Sequence, residues 1–186
     1  MKRTQQKNLL YTIILASIFT AIITVLTFFV KIPSHNGYVH IGDSVIFIAA
    51  CVLPTPFALC CAAIGGALAD TIGGYVIYII PTLIIKALIS LWFDNKGKKI
   101  VSKRNIIGLI PASIITILGY YVAEVVLVAL STSSGFGQIL SNLFTSIPWI
   151  SALYCIPGNI TQAVASIIVF ILLGLALDKI KFKDKI

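Results

Sequence analysis

An all-α integral membrane protein with six transmembrane helices and both termini cytoplasmic is the fold class this sequence predicts. Three observations predict it. Of the 186 residues, 59% are apolar and only 11% are charged, whereas a soluble domain carries about 25% charged residues. Mean hydropathy is +1.04, so the polar groups are too few to cover a water-facing surface. Twelve of the fourteen Lys and Arg stand in three clusters: Lys2, Arg3 and Lys7; Lys96, Lys98, Lys99, Lys103 and Arg104; Lys179, Lys181, Lys183 and Lys185. Basic loops stay on the cytoplasmic side, so an even number of spans must separate each cluster from the next. The net charge of +8 is then a matter of topology, and no nucleic acid is expected as a partner. The length suits a single membrane domain over residues 1–186. A secreted disulfide scaffold, a disordered tail and a soluble enzyme are excluded.

The first apolar run covers residues 9–30. At 1.5 Å per residue it reaches roughly 33 Å, enough to cross a bilayer. It is too long for a signal-peptide core and lacks an Ala-x-Ala exit, so it is expected to be retained. Residues 31–40, KIPSHNGYVH, form a polar loop expected outside. The second run, 41–53, is short and ends at Pro54-Thr55-Pro56. The third, 57–72, is crowded with Ala, Gly and Cys. Such small residues let helix backbones approach closely, which predicts a central place for it. The fourth, 75–93, is entered through Gly73-Gly74. The basic loop 94–105 precedes the fifth run, 106–130, and the loop STSSGFG follows it. Residues 138–155 are broken by Ser141, Asn142, Ser146, Pro148 and Ser151. They read as an outer amphipathic or re-entrant stretch. The last span is 156–177. Four spans precede the basic loop and two follow it, so hydropathy and charge agree.

Cys51, Cys60, Cys61 and Cys155 show no CxxC or Cys/His spacing and read as small core residues. Asp43, Asp70, Lys86 and Glu124 lie in or beside apolar spans. Each costs about 2.5–3.5 kcal/mol at a helix centre and is a functional candidate by default. On the expected topology the three acids share one outer layer, while Lys86 sits deeper, nearer the inner face. Tyr75 with Tyr78, Tyr121 with Glu124, and Asn159 with Gln162 are each three apart and share helix faces in that layer. Trp149 lies in the outer connection. An outward pocket with aromatic walls and a few polar groups suits a small polar ring compound. Competing readings stay open. The Tyr and Trp are also natural belt anchors. Asp43 suits a helix N-terminus, Asp70 suits a cap on the loop Thr71–Gly74, and Lys86 can snorkel or pair internally.

No G-x-x-x-x-G-K-[ST], H-E-x-x-H or G-x-S-x-G motif occurs. The two histidines, His35 and His40, stand in the outer loop, and His40 with Asp43 is only a weak metal signal; no metal or cofactor is expected. His40-Ile41-Gly42-Asp43 is a degraded form of the G-x-G-D motif of intramembrane aspartyl proteases, with Asp70 as a conceivable second carboxylate. This is a remote alternative to a non-enzymatic function.

The stretch GYVHIGDSVIFIAACVLPTPFALCCAAIGGALADTIGGY, then IKALI, then IPGNITQAVASIIVF resembles the substrate-binding S-components of energy-coupling factor (ECF) vitamin importers. The likeness runs from Leu9 to Lys179. It implies a six-helix protein of the cell membrane that captures a vitamin or related precursor from outside. It also implies partners: a transmembrane T-component and two cytoplasmic ATPases. The family's Ala-x-x-x-Ala docking pattern is matched by Ser17-x-x-x-Ala21, with Ala16 and Thr20 beside it. Asn159, in PGNITQ, is the best-matched pocket position. His40, Asp43, Asp70, Tyr75, Tyr78, Tyr121, Glu124, Trp149 and Gln162 complete the expected substrate-binding set. S-components for riboflavin, thiamine, biotin, folate and queuosine precursors share this scaffold, and no pocket signature selects among them. A proton-coupled secondary transporter working through Glu124 or Asp70 is the alternative; such proteins often carry internal repeats, and none is visible.

Overall fold

The computed structural model describes residues 2–33 and 38–185. His35 lies outside the described residues. Helix α1, Lys2–Phe29, leads into a two-stranded hairpin, β1 (Lys31–Pro33) and β2 (Tyr38–His40), paired antiparallel with Lys31 opposite His40. There follow α2 (Gly42–Val52), α3 (Thr55–Gly73), a 3₁₀ turn (Val76–Tyr78) running into α4 (Ile79–Ser90), and α5 (Lys103–Ser131). Helices α6 (Phe136–Leu143) and α7 (Ser146–Ala152) precede a 3₁₀ turn (Leu153–Cys155) and α8 (Ile156–Lys179).

Among the described residues, four helical runs are long and apolar enough to cross a membrane: Asn8–Phe29, Thr55–Gly73, Lys103–Ser131 and Ser146–Lys179. Gly42–Val52 and Val76–Ser90 are shorter apolar helices. Val76–Ser90 buries Thr82, Ile85, Lys86, Ile89 and Ser90 and leaves Ile80, Ile84 and Leu88 exposed on its other face. Residues Gly42 to Cys51 of α2 are all buried, so α2 is a core helix rather than a lipid-facing one. The ambiguous region resolves into two pieces. Helix α6 has eight residues and buries none of them, too short to cross and polar on one side only. Helix α7 packs on α5 and continues through the 3₁₀ turn into α8.

Helix α3 packs most extensively against α4 and α1. The reason is the small size of its buried residues, Ala58, Cys61, Ala62, Gly65, Gly66 and Ala69 among them. A Cβ on Gly66 would lie 2.8 Å from Thr82 Cγ2 and 3.0 Å from Lys86 Cγ, so only glycine lets α4 come this near with those two side chains between the helices. The helix stops at Gly74, whose φ of +79° closes the left-handed cap and donates its N–H to Asp70 and Thr71 carbonyls.

At the end remote from the hairpin, Phe47, Phe93 and Phe170 form a ring cluster with centroids 4.9–5.9 Å apart. Polar ties close this basic end. The Asp178 carboxylate accepts the Ile100 and Val101 N–H groups at 2.7 and 2.9 Å. Lys183 donates to the Cys51 and Asn95 carbonyls at 2.7 and 2.8 Å, which caps the end of α2 with the C-terminal tail.

Candidate functional site

Beneath the hairpin, α1, β2, α3, α4, α5 and α8, with the turns that precede α4 and α8, bring side chains into one cavity. Thr27 comes from α1; Tyr38 and His40 from β2; Asp70 from α3; Tyr75 and Tyr78 from the turn before α4, and Thr82 from α4; Tyr120 and Glu124 from α5; Cys155 from the 3₁₀ turn before α8; Gly158, Asn159 and Gln162 from α8. The cavity encloses about 70 Å³. A cavity of about 150 Å³ holds benzene, so this cavity is smaller than a ring-sized ligand needs.

A buried ion pair lies under the floor. Lys86 Nζ donates to Asp43 Oδ1 at 2.6 Å with both side chains 1% exposed, and Gln162 Nε2 donates to Asp43 Oδ2 at 2.9 Å. Lys86 also lies 5.1 Å from the Tyr120 ring centroid. Four helices, α2, α4, α5 and α8, meet at this ammonium group. The expectation that Lys86 sits apart from the acids, nearer the inner face, is corrected. Its backbone is a helical turn beyond Thr82, but its four-carbon stem carries the charge back to Asp43. Pairing, not snorkelling, satisfies it.

Asp70 holds the next layer. Tyr38 Oη donates to Asp70 Oδ1 at 2.6 Å and Thr82 Oγ1 to Oδ2 at 2.5 Å, with Thr82 also 3.2 Å from Tyr120 Oη. The hairpin is thus latched to α3 and α4 by one carboxylate. Asp70 does not cap the loop after α3 with its side chain; its backbone carbonyl does so, accepting the Tyr75 N–H at 2.8 Å. Glu124 accepts from Tyr78 Oη at 2.7 Å. His40, 4% exposed, accepts the Gly42 N–H on Nδ1 at 3.1 Å, which places its proton on Nε2. Burial first, and then the Lys86 charge, push the His40 pKa down to about 3, so the ring stays neutral at physiological pH.

A shared-proton pair of Asp43 and Asp70, as a protease would need, does not form. Each oxygen of Asp43 is taken by Lys86 or Gln162, and each oxygen of Asp70 accepts a hydroxyl.

Of the expected residues, His40, Asp70, Tyr75, Tyr78, Glu124, Asn159 and Gln162 line the cavity, with Asp43 directly behind it. Tyr121 and Trp149 do not. Tyr121 Oη donates to the Trp149 carbonyl at 3.1 Å, the rings lie 6.0 Å apart, and Trp149 Nε1 donates to the Leu143 carbonyl at 2.9 Å. These two fasten α7 to α5. Tyr120 takes the place expected of Tyr121. Both are within one turn of Glu124, so spacing alone does not choose between them. Tyr38, Thr82, Thr27 and Cys155 were not legible as site residues. The spacing of Thr82 four residues after Tyr78 and four before Lys86 puts the three on one face of α4 and could have found it.

On the far side of α1 a groove of about 540 Å³ is lined by Ser17, Thr20, Ala21, Thr24 and Val25, with Ile64 and Leu68 of α3. Ala16 faces inward instead, its carbonyl accepting the Cys61 thiol at 3.1 Å. Thr20 and Thr24 fold their hydroxyls back onto the carbonyls four residues earlier, at 2.9 Å each, so the groove presents a small, largely apolar surface.

The family described as ECF-type riboflavin transporter, S component, matches residues 7–179. A protein of Pyrococcus woesei described as an uncharacterized protein in the gap 3′ region is 34% identical over 103 residues, which is 53% of this chain and 68% of that protein.

Proposed function

This chain belongs to the S-component family of ECF-type riboflavin transporters, and from that premise we propose that it captures a vitamin-like ring compound in the cavity beneath the hairpin. The family is a transporter component and not an enzyme. The observation that carries the site is the convergence of two carboxylates, four tyrosines and the neutral His40 on one cavity above a sealed ion pair.

The proposed protein crosses the cell membrane six times, with α2 and α4 as short spans and both termini cytoplasmic. The three basic clusters support this. A cysteine at position 99, in a background free of native cysteines, is expected to resist membrane-impermeant thiol reagents in intact cells. Rapid labelling there would invert the topology.

Delivery across the membrane is assigned to a T-component and two ATPases, since the chain carries no P-loop of its own. The groove on α1 is the proposed docking face, because exposed Ser17 and Ala21 leave room for a partner helix backbone. Uptake is expected only in cells that also produce the T-component and ATPases. Uptake by this chain alone would favour a proton-coupled transporter working through Glu124 or Asp70.

The cavity itself is tested by Glu124→Gln and Asn159→Ala. Removing one side of a buried hydrogen-bonded contact costs about 1–3 kcal/mol, roughly 5- to 150-fold in affinity. Titration of the co-purified ligand, identified by native mass spectrometry, back onto detergent-solubilised protein measures this. Unchanged affinity in both variants would move the binding site elsewhere.

A further inference from the structure

Helices α4 and α5 meet along a seam held by two glycines. A Cβ on Gly119 would lie 2.9 Å from Ile85 Cγ1, and one on Gly108 would lie 2.4 Å from the Trp92 carbonyl oxygen. At the surface of the bundle the seam opens into a groove of about 690 Å³, which runs past Ile84 and Leu88 of α4 and Ile114, Leu118 and Val122 of α5. Every residue lining it is aliphatic, Gly or Pro. It shares no residue with the cavity beneath the hairpin or with the groove on α1.

Its walls suit a lipid chain better than a helix. Ile84, Leu88, Ile114 and Leu118 are large, branched and exposed. A partner helix comes close over small residues, as Ser17 and Ala21 offer on α1, and these four side chains hold a backbone away. A flexible methylene chain can lie between them.

One end of the groove is charged. Lys103, Ile107, Ile110, Ile114 and Leu118 follow one another at spacings of three and four, so they share one face of α5, and all five are exposed. Arg104 stands beside Lys103, and its Nη1 donates to the Trp92 carbonyl at 3.0 Å. A guanidinium is thus fixed where α4 ends. Neither cation has a carboxylate partner among the described residues. The positive end of the α5 dipole lies at the same place, and Trp92, 40% exposed, is a residue type enriched at membrane interfaces. Counted from Trp92 along α4, Leu88 and Ile84 lie roughly 6 and 12 Å deep at 1.5 Å per residue. Both depths fall within one leaflet, about 15 Å or half of a core about 30 Å thick. An acyl chain whose headgroup sits at Arg104 therefore reaches the groove within its own leaflet.

We propose that the α4–α5 groove binds an anionic phospholipid, with one acyl chain between Ile84, Leu88, Ile114 and Leu118 and the phosphate on Lys103, Arg104 and the start of α5. Basic sites between membrane helices select such headgroups. The site is separate from ligand capture and from partner docking.

The test is native mass spectrometry of detergent-solubilised, delipidated protein titrated with dioleoylphosphatidylglycerol or dioleoylphosphatidylcholine. These lipids share their chains and differ in net headgroup charge. Attraction to an anionic lipid is worth roughly fivefold per basic residue, so phosphatidylglycerol is expected to bind about 25-fold more tightly. Lys103→Gln with Arg104→Gln is expected to bring it within about threefold of phosphatidylcholine, as only the shared chain contact then remains. Lys98→Gln with Lys99→Gln takes the same charge from the loop and none from α5, and is expected to keep the preference. Leu118→Trp fills the groove and is expected to weaken both lipids by about tenfold, the worth of roughly two buried methylene groups. Should the Arg104 substitution loosen α4, Lys103→Glu alone, at an exposed side chain, reads the same loss. Equal binding of the two lipids, an unchanged preference without Lys103 and Arg104, an equal loss without Lys98 and Lys99, or full binding by Leu118→Trp overturns the proposal. Micelles offer lipid to every face, so the outcome is independent of the orientation tested by labelling at position 99 and of any ligand in the cavity.

Discussion

Lys86→Met is expected to destabilise the protein by about 3–5 kcal/mol, because it leaves the Asp43 carboxylate buried with its cation removed. Both side chains are 1% exposed, so water cannot replace the ammonium group without opening the helix contacts. Gln162 remains as a donor to Asp43 Oδ2 at 2.9 Å, but one amide hydrogen bond does not neutralise a buried charge. A loss of this size is a large fraction of the total stability of about 5–15 kcal/mol typical of a folded domain. The readout is the melting temperature of detergent-solubilised protein followed by size-exclusion chromatography. The double variant Lys86→Met with Asp43→Asn separates charge from packing: it removes both charges and is expected to recover most of the loss. If Lys86→Met melts with the wild type, the ion pair contributes nothing and another contact holds α2 against α4.

Ala21→Trp and Ser17→Trp are expected to abolish uptake by the assembled transporter while leaving ligand affinity within about twofold. Both side chains are exposed on α1 and line the groove shared with Ile64 and Leu68 of α3. Helices in a bilayer associate through close backbone approach at small residues, and an indole at either position holds a partner helix away. The cavity beneath the hairpin contains neither residue, so ligand capture should not change. Affinity is measured by titration and uptake by accumulation of labelled ligand in cells producing all components. Full uptake by both variants would mean that the partner docks on another face.

Much of the molecule was legible before its structure. Apolar runs and basic clusters are properties of local composition, and they name a helical membrane protein without reference to any contact. The four ionisable residues in apolar surroundings were equally visible, since burying such a group is costly wherever it lands. Seven of the ten expected binding residues line one cavity, because i,i+3 spacing correctly grouped Tyr75 with Tyr78 and Asn159 with Gln162. The same rule failed on α5. Tyr120 and Tyr121 stand four and three residues before Glu124, and both spacings satisfy it.

What the sequence determined by itself is the class of the protein, the approximate places of its helices, and the identity of the charges that need partners. The tertiary structure alone decided who those partners are. Asp43 and Lys86 are 43 residues apart, Asp43 and Gln162 are 119 apart, and Tyr38 reaches Asp70 across 32. No periodicity connects positions so distant, and the reach of a flexible side chain such as Lys86 hides its true depth. The rotation of α5, which turns Tyr120 inward and leaves Tyr121 for Trp149, follows from how α7 and α8 pack against it. That is a property of the assembled bundle, because a helix's own sequence specifies which residues share a face and its neighbours specify where that face points.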